Sequence, residues 1–215
     1  MKLQASEWPP RGTVYGTLLN FQREWDLWAP RMTQEPHKAP PQAPVLYIKT
    51  ANTFCTAGQP LQLQDGVKEV DIGATLGLLI GARAQVVGAM LLNDWSMPHT
   101  SYYRPPVKFR CRDGFLALPR EVTACTQVQT LENLSIDVRL NGKLVQQVHL
   151  QQLVRPLSQL LTDVGEFMTL QPGDVLMVGT DCLADGSRPR AKAGDTVEIA
   201  ASGFVSITTT LGEAA

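Results

Sequence analysis

The sequence lacks an excess of charge of either sign. Its 215 residues include 19 basic and 20 acidic side chains, which gives a formal net charge of -1. Proteins that hold nucleic acid or anionic membranes through charge carry a strongly basic surface. The balance therefore argues against both nucleic acid and a membrane as partners.

Paired cysteines are also lacking. The four cysteines lie far apart and include no CxxC spacing of a zinc or redox site: Cys55, Cys111, Cys125 and Cys182. The polar N-terminus "MKLQASEWPPRG" lacks the apolar segment of a secretory signal. We therefore expect reduced thiols in a cytoplasmic protein.

No apolar run is long and uninterrupted enough to cross a membrane. The nearest candidate, residues 72–92, contains Arg83, Gln85 and several glycines. A charge at the centre of a membrane span is costly. The run therefore predicts a strand, a turn at Gly81 and a second element.

Short β-branched and aromatic runs dominate what is present. "TVYGTLLNF" and "PVLYIKT" predict strands, with one short helix and a proline-rich, lid-like loop between them. "LSIDVRLNGKLVQQVHL" alternates apolar with polar residues around Asn141-Gly142, which predicts a hairpin. "PLSQLLTDVGEFMTL" has helical spacing near residues 158–167, and its apolar face would comprise Leu157, Leu160, Leu161, Val164 and Phe167.

These patterns predict a β-rich α+β protein with one or two short helices and a single domain overall. Residues 1–45 would form an N-terminal strand and the lid-like segment. Residues 46–215 would form the main body, and residues 70–210 would share one core.

The stretch "VKFRCRDGF", residues 107–115, alternates three cations with apolar residues. In a strand this spacing places Lys108, Arg110 and Arg112 on one face. Such a face can be a solvated edge or an anion site. Asp113-Gly114 also has the composition of a simple turn.

Several segments together resemble the fumarylacetoacetate hydrolase family. They include "GTVYGTLLNF", "GLLIG", "YYRP", "RCRDGF" and, most specifically, "EFMTLQPGDVLMVGT". The likeness is greatest to the N-terminal, decarboxylase half of the bifunctional isomerase/decarboxylases of 4-hydroxyphenylacetate degradation. The resemblance implies a mixed β-sandwich roll and substrates that are 2-oxo acids with further carboxylates.

The first departure from the family pattern concerns the divalent cation, Mg²⁺ or Mn²⁺, that family members hold. The resemblance implies three carboxylate ligands, but two of the positions are Gly73 and Thr75 here, and only Asp94 remains. One carboxylate is too few for a Mg²⁺ site built on protein. A shifted register could recruit Glu69 and Asp71 instead. We predict no metal and no other cofactor for this chain.

The family's hydrolases also carry a His-Glu pair that activates water, and this is the second departure. The matching positions are Glu24 and Leu27. Without that base we do not expect hydrolysis.

The resemblance then implies a carbon-carbon lyase or isomerase of homoprotocatechuate catabolism. It would decarboxylate 5-oxopent-3-ene-1,2,5-tricarboxylate, isomerise the resulting dienol, or do both. Cations would stabilise the enolate that forms as CO₂ leaves, and arginine suits a substrate with several carboxylates. The expected catalytic residues are Lys49, Arg110 and Asp94, and the expected substrate-binding residues are Tyr103, Arg104, Lys108 and Thr180.

Other interpretations stay open at this point. Asp94 could cap a turn or simply pair with an arginine, and His99, beside a proline, matches no catalytic position of the family. Thr180 is followed by "DCLADG", which departs from the family pattern. The chain could also be a non-catalytic partner of a metal-bearing sister chain, so we expect a homodimer or a heteromer.

Overall fold

The computed structural model describes residues 11–99 and 106–213, so Tyr103 and Arg104 lie outside the described residues. Three α-helices occur in these ranges: α1 (Gln22–Met32), α2 (Pro106–Arg110) and α3 (Leu157–Gly165). The strands there are β1 (Val14–Leu18), β2 (Val45–Lys49), β3 (Phe54–Thr56), β4 (Leu61–Gln62), β5 (Val70–Asp71), β6 (Ala74–Ile80), β7 (Val86–Asp94), β8 (Leu116–Leu118), β9 (Thr123–Ala124), β10 (Ser135–Leu140), β11 (Lys143–His149), β12 (Val175–Met177), β13 (Arg190–Ala191), β14 (Thr196–Ala200) and β15 (Ile207–Gly212).

The larger sheet is mixed and has strand order β2-β1-β12-β6-β7-β8-β3, with β9 paired to β7 beside this path. Every residue of β6 is buried, and all but one residue of β7. Strands covered on both faces have continuous apolar sequences, which is why this pair looked like a membrane span. The predicted turn at Gly81 is confirmed, since β6 and β7 pair antiparallel on either side of it.

β1 lies inside this sheet, between one strand that is near it in the sequence and one that is far from it. It pairs antiparallel with β2, which follows it closely in the chain, and parallel with β12. Next to β1, the amide of Thr13 donates to a carboxylate oxygen of Asp174, 161 positions away. The N-terminal strand is thus built into the larger sheet, one strand from its edge.

The smaller sheet has the order β11-β10-β14-β15-β4. Its hairpin turns at Asn141 and Gly142, as the sequence predicted, and both residues have positive φ, 51° and 79°. This conformation matches a type I′ turn, which favours Asn-Gly. The Asn141 side chain also donates to Asp195 at 2.8 Å and accepts from the Thr196 amide at 2.9 Å.

We predict that Asn141→Val lowers the free energy of unfolding by about 2 kcal/mol, because a β-branched residue is strained at positive φ. The matched variant Asn141→Gly loses the same side-chain bonds but tolerates this backbone. Urea unfolding of the two variants separates the effects. Equal stability of the valine and glycine variants would show that strain in the turn is unimportant.

α1 and α3 are confirmed as helices, but α3 is shorter than predicted. Leu157, Leu160 and Val164 are buried, as the helical spacing required. The helix ends at Gly165, a residue with high backbone entropy. Phe167 consequently lies beyond the helix and is 55% exposed, so its assignment to the buried face is wrong.

The prediction of a strand over residues 107–115 is wrong. Pro106 begins the short helix α2, a position where the fixed φ of proline is favourable and its missing N–H costs nothing. A turn follows, with Gly114 at φ 74°. The three cations therefore do not share a face: Arg110 is buried, whereas Lys108 is exposed.

One large apolar core includes residues of both sheets and of α3, from Val70 on β5 to Ile207 on β15. A second buried cluster, which includes Leu79, Met90 and Val175, packs apart from this core, so residues 70–210 do not all share one core. In the described part of the chain, no helix is long and apolar enough to span a membrane.

Candidate active site

A buried ionic cluster lies at the end of β7. Lys49 Nζ is 2.8 Å from Oδ1 of Asp94, and Arg110 Nη1 is 2.8 Å from Oδ2. The Tyr47 hydroxyl also donates to Oδ2, and the Arg110 guanidinium stacks on the Tyr47 ring at 4.6 Å. None of the four residues is more than 9% exposed. We call these four residues the Asp94 cluster.

Lys49 ties the cluster to the backbone. Its ammonium donates to the carbonyl oxygens of Trp95, at 3.3 Å, Phe115, at 2.7 Å, and Arg110. Burial lowers the pKa of Lys49, although the Asp94 carboxylate acts in the opposite direction. Lys49 therefore holds together the end of β7, the end of α2 and the start of β8.

The charges of the cluster do not cancel, since two cations face a single carboxylate. Burial alone would raise the pKa of Asp94, but Lys49 and Arg110 outweigh it and lower that pKa. Burial and the Asp94 charge raise the pKa of Tyr47, which keeps the phenol protonated. The cluster therefore carries net positive charge in a site that excludes water.

Two donors beside this charge lack a partner among the described residues. They are Nη2 of Arg110 and Nε1 of Trp95, both buried. A buried donor without an acceptor is costly, and such groups often mark a site where a ligand binds. An oxygen anion beside Arg110 would satisfy its donor and the surplus charge.

A cleft of about 590 Å³ opens between α1, the segment after β7 and the loop before β13. Polar and charged side chains are prominent in its lining, which includes Glu24, Asp71, His99, Ser187, Arg188 and Arg190. The cleft is large enough for a small organic acid.

Arg188 is the cation that links the cleft to the end of β12. Its Nη2 donates to Glu24 at 2.7 Å, and Nε and Nη2 donate to the Thr180 hydroxyl at 3.1 and 3.0 Å. Sequence reasoning missed Arg188. The sequence did contain a signal for this residue. The loop after Thr180 departs from the family pattern at "DCLADG", and the two arginines of "SRPR" follow directly.

The cleft and the Asp94 cluster are neighbours. A Cβ placed on Gly73 would meet the Asp94 carbonyl oxygen at 2.2 Å and the Thr180 methyl group at 3.1 Å. Burial alone would lower the pKa of Arg110, but Tyr47 and Asp94 raise it. The charges of Arg188 and Glu24 also act on this pKa. Arg110 and Arg188 are therefore close enough for their charges to interact, although Arg188 lines the cleft and Arg110 does not.

Glu69 and Asp71, the alternative metal ligands, are both bound to Arg190. The distances to its guanidinium are 2.5 Å from Glu69 and 3.1 Å from Asp71. Burial raises the pKa of Asp71, while Arg188 and Arg190 act to lower it. These carboxylates hold an arginine and are not arranged around an empty cation site.

The predicted site residues divide into three groups. Lys49, Asp94 and Arg110 meet in one buried cluster, with Asp94 paired to an arginine as one interpretation held. Thr180 is buried and binds Arg188 beside the cleft. Lys108 is exposed on α2, and Tyr103 and Arg104 lie outside the described residues. The roles assigned to all seven stay predictions.

The residues present do not fit the divalent cation of the family. Gly73 has no side chain and no room for one, Thr75 has only a hydroxyl, and both oxygens of Asp94 face cations. No described group of three or more His, Cys, Asp or Glu side chains is arranged to hold a metal. Bound ammonium and guanidinium groups repel a divalent ion from this position.

We predict that Mg²⁺ and Mn²⁺ leave the thermal unfolding midpoint unchanged, because an ion that does not bind the folded state cannot stabilise it. Metal analysis of the dialysed protein should find less than about 0.1 equivalent, with Asp94→Asn as the comparison. One bound equivalent in the native chain that Asp94→Asn releases would contradict this prediction.

Comparison with known proteins places these features in a family context. The family model "Fumarylacetoacetate (FAA) hydrolase C-terminal" matches residues 13–212. The 4-hydroxyphenylacetate degradation bifunctional isomerase/decarboxylase of Escherichia coli is 34% identical over 204 residues, covering 90% of this chain and 46% of that protein. This chain thus spans about half the length of these curated relatives.

Solved structures show the same fold. A 5-carboxymethyl-2-hydroxymuconate delta-isomerase from Mycobacterium smegmatis aligns with a TM-score of 0.70 and 22% identity over 94% of this chain and 79% of that one. A fumarylpyruvate hydrolase from Pseudomonas aeruginosa, in complex with Mn²⁺ and pyruvate, aligns with a TM-score of 0.73 and 19% identity over 94% and 90%. The expected mixed β-rich fold is confirmed.

Proposed function

Since this chain belongs to the fumarylacetoacetate hydrolase family, we propose that it is an enzyme that decarboxylates a 2-oxo acid with further carboxylates, isomerises the enol product, or does both. The substrate we favour is 5-oxopent-3-ene-1,2,5-tricarboxylate. The name of the Escherichia coli relative, an isomerase/decarboxylase, supports this reaction class.

The observation that carries the proposal is the unpartnered donor of Arg110 beside surplus positive charge. Arg110 Nη2 and Trp95 Nε1 are buried donors with no acceptor in the described residues. The oxygen of a 2-oxo group, which becomes negative during the reaction, is the kind of acceptor that both donors lack.

The chemistry follows from where electrons move as CO₂ leaves. The pair from the broken C–C bond enters the conjugated system and places negative charge on the 2-oxo oxygen. Donors fixed in a dry, positively charged site favour this enolate over the neutral ground state. Arg110 would bind the enolate oxygen, and the rest of the Asp94 cluster would hold Arg110 in place.

Arg188 would bind one of the further carboxylates of the substrate. Its guanidinium already binds one carboxylate, that of Glu24, so an incoming carboxylate can take the same geometry. Thr180, which accepts two hydrogen bonds from Arg188, would orient the guanidinium during this exchange.

A direct assay of the purified chain tests the proposal. CO₂ release and the ultraviolet absorbance of the tricarboxylate are followed with the chain alone, with chelator, and with a metal-bearing sister chain. Turnover by the chain alone that survives chelation supports the proposal. Turnover that requires the sister chain would instead identify this chain as a non-catalytic partner.

A further inference from the structure

Four side chains of α1 lie along one wall of the cleft. They are Glu24, Leu27, Trp28 and Arg31, whose spacing is that of a single helical face. Glu24 is buried and binds Arg188, whereas Arg31 is exposed. With a rise of about 1.5 Å per residue, the two ends of this row are about 10 Å apart. The row therefore runs from the buried part of the cleft to its mouth.

The guanidinium of Arg31 is oriented by stacking. Its central carbon lies over the Trp28 ring, 5.3 Å from the ring centroid. The Trp28 ring in turn meets the His37 ring edge-on, with centroids 6.2 Å apart and an interplanar angle of 78°. Stacking uses the face of a guanidinium and leaves the N–H donors at its edge available for a carboxylate.

Arg31 differs in this respect from the other arginines of the cleft lining. Arg188 and Arg190 are each bound to carboxylates of the protein, and Arg190 is bound to two of them. Among the residues that the structure describes, no carboxylate pairs with Arg31 and no other acceptor binds its guanidinium. An acid can therefore bind Arg31 without displacing an ion pair.

The charges of the lining make this difference matter. Three carboxylates, those of Glu24, Asp71 and Asp185, face three arginines around the cleft. Asp185 accepts from the amide and the hydroxyl of Ser187 at 2.9 and 2.7 Å. A balanced lining gives an acid with several charges no overall attraction, so such an acid gains most at a cation without a counter-charge beside it.

We propose that Arg31 is a specificity-determining residue that binds the substrate carboxylate farthest from the 2-oxo group. This rests on the proposed function and names the part of the cleft that selects acids with a distal carboxylate. Arg188, deeper in the cleft, binds a carboxylate nearer the 2-oxo group, and the rest of the chain extends along α1 to the mouth. There the planar guanidinium of Arg31 takes the distal carboxylate through two parallel hydrogen bonds.

Two stable acids test this selection without any reaction. 2-Oxoheptanedioate and 2-oxoheptanoate share their chain length and 2-oxo group, and only the first has a distal carboxylate. In calorimetric titration of the native chain, the dioate should have a dissociation constant about 10-fold lower. Arg31→Gln should abolish this preference while binding 2-oxoheptanoate within about two-fold of the native chain. Arg31→Lys, which keeps the charge but not the planar donors, should retain part of the preference.

Arg83→Gln is the matched control. Arg83 is exposed in the turn between β6 and β7, outside the cleft lining, so its replacement should leave the preference unchanged. A native preference in an Arg31→Gln variant that unfolds at the native midpoint overturns the proposal. So does a native chain that releases CO₂ from the tricarboxylate yet binds the two acids equally. A preference that depends on Arg31 in a chain that releases no CO₂ supports the carboxylate site and contradicts decarboxylation as the function.

Discussion

Replacing Asp94 with asparagine is expected to lower the free energy of unfolding by about 4 kcal/mol. The substitution keeps the shape of the side chain but leaves Lys49 and Arg110 buried without a counter-charge. Urea unfolding of the variant measures the loss. Adding Lys49→Met in the same chain should recover part of it, since one of the two uncompensated cations is then removed.

The partly exposed pair of Asp137 with Arg139 provides the control. Its side chains are 31% and 38% exposed, and Asp137→Asn should cost less than about 1 kcal/mol. Similar losses in the two asparagine variants would show that burial of the Asp94 cluster contributes little.

Acid should reveal the same interaction. The pKa of Asp94 is lowered in the folded chain, so the unfolded chain takes up this proton first as pH falls. The stabilisation is therefore complete above about pH 4, the ordinary aspartate value, and is lost as pH falls towards the folded pKa. Asp94→Asn should lose less stability than the native chain over this acid range.

Replacing Arg110 with methionine is expected to lower kcat/KM for the tricarboxylate by about 100- to 1,000-fold, typical of losing a donor to a developing oxyanion. The methionine keeps much of the side-chain volume but removes the donor Nη2 and the surplus charge. Steady-state kinetics under conditions where the variant stays folded provide the measurement.

Arg112→Met is the matched control for this experiment. Arg112 lies two positions along the same cationic stretch, where it donates to the Lys108 carbonyl and to Gln64. Its loss should leave kcat/KM within about three-fold, an effect below about 0.7 kcal/mol. An unchanged kcat/KM in the Arg110 variant would show that this arginine has a purely structural role.

The strands and the hairpin could be predicted because their signals are local. Asn141-Gly142 needs only its own backbone preference, and the β6-β7 pair needs only burial and the turn at Gly81. The period of two in residues 107–115 was local too, but it was outweighed by the proline that begins α2. Alternation over a few residues does not distinguish a strand from a short helix followed by a turn.

The site itself could be predicted only in part. Lys49, Asp94 and Arg110 were assigned through family resemblance, and the structure adds that both cations bind the single carboxylate of Asp94 within a buried cluster. The pair of Arg188 with Glu24 joins residues 164 positions apart. No pattern in a single sequence specifies such a contact, because it depends on how the completed fold brings the loop and α1 together.

The place of β1 between β2 and β12 has a consequence for how the protein is made. During translation, β1 leaves the ribosome while β12, about 160 residues downstream, does not yet exist. Until then β1 has one edge unpaired, and the sheet cannot close around it. Contacts of such long separation slow folding and leave strand edges open to association. Nascent chains should therefore depend on chaperones until β12 has emerged.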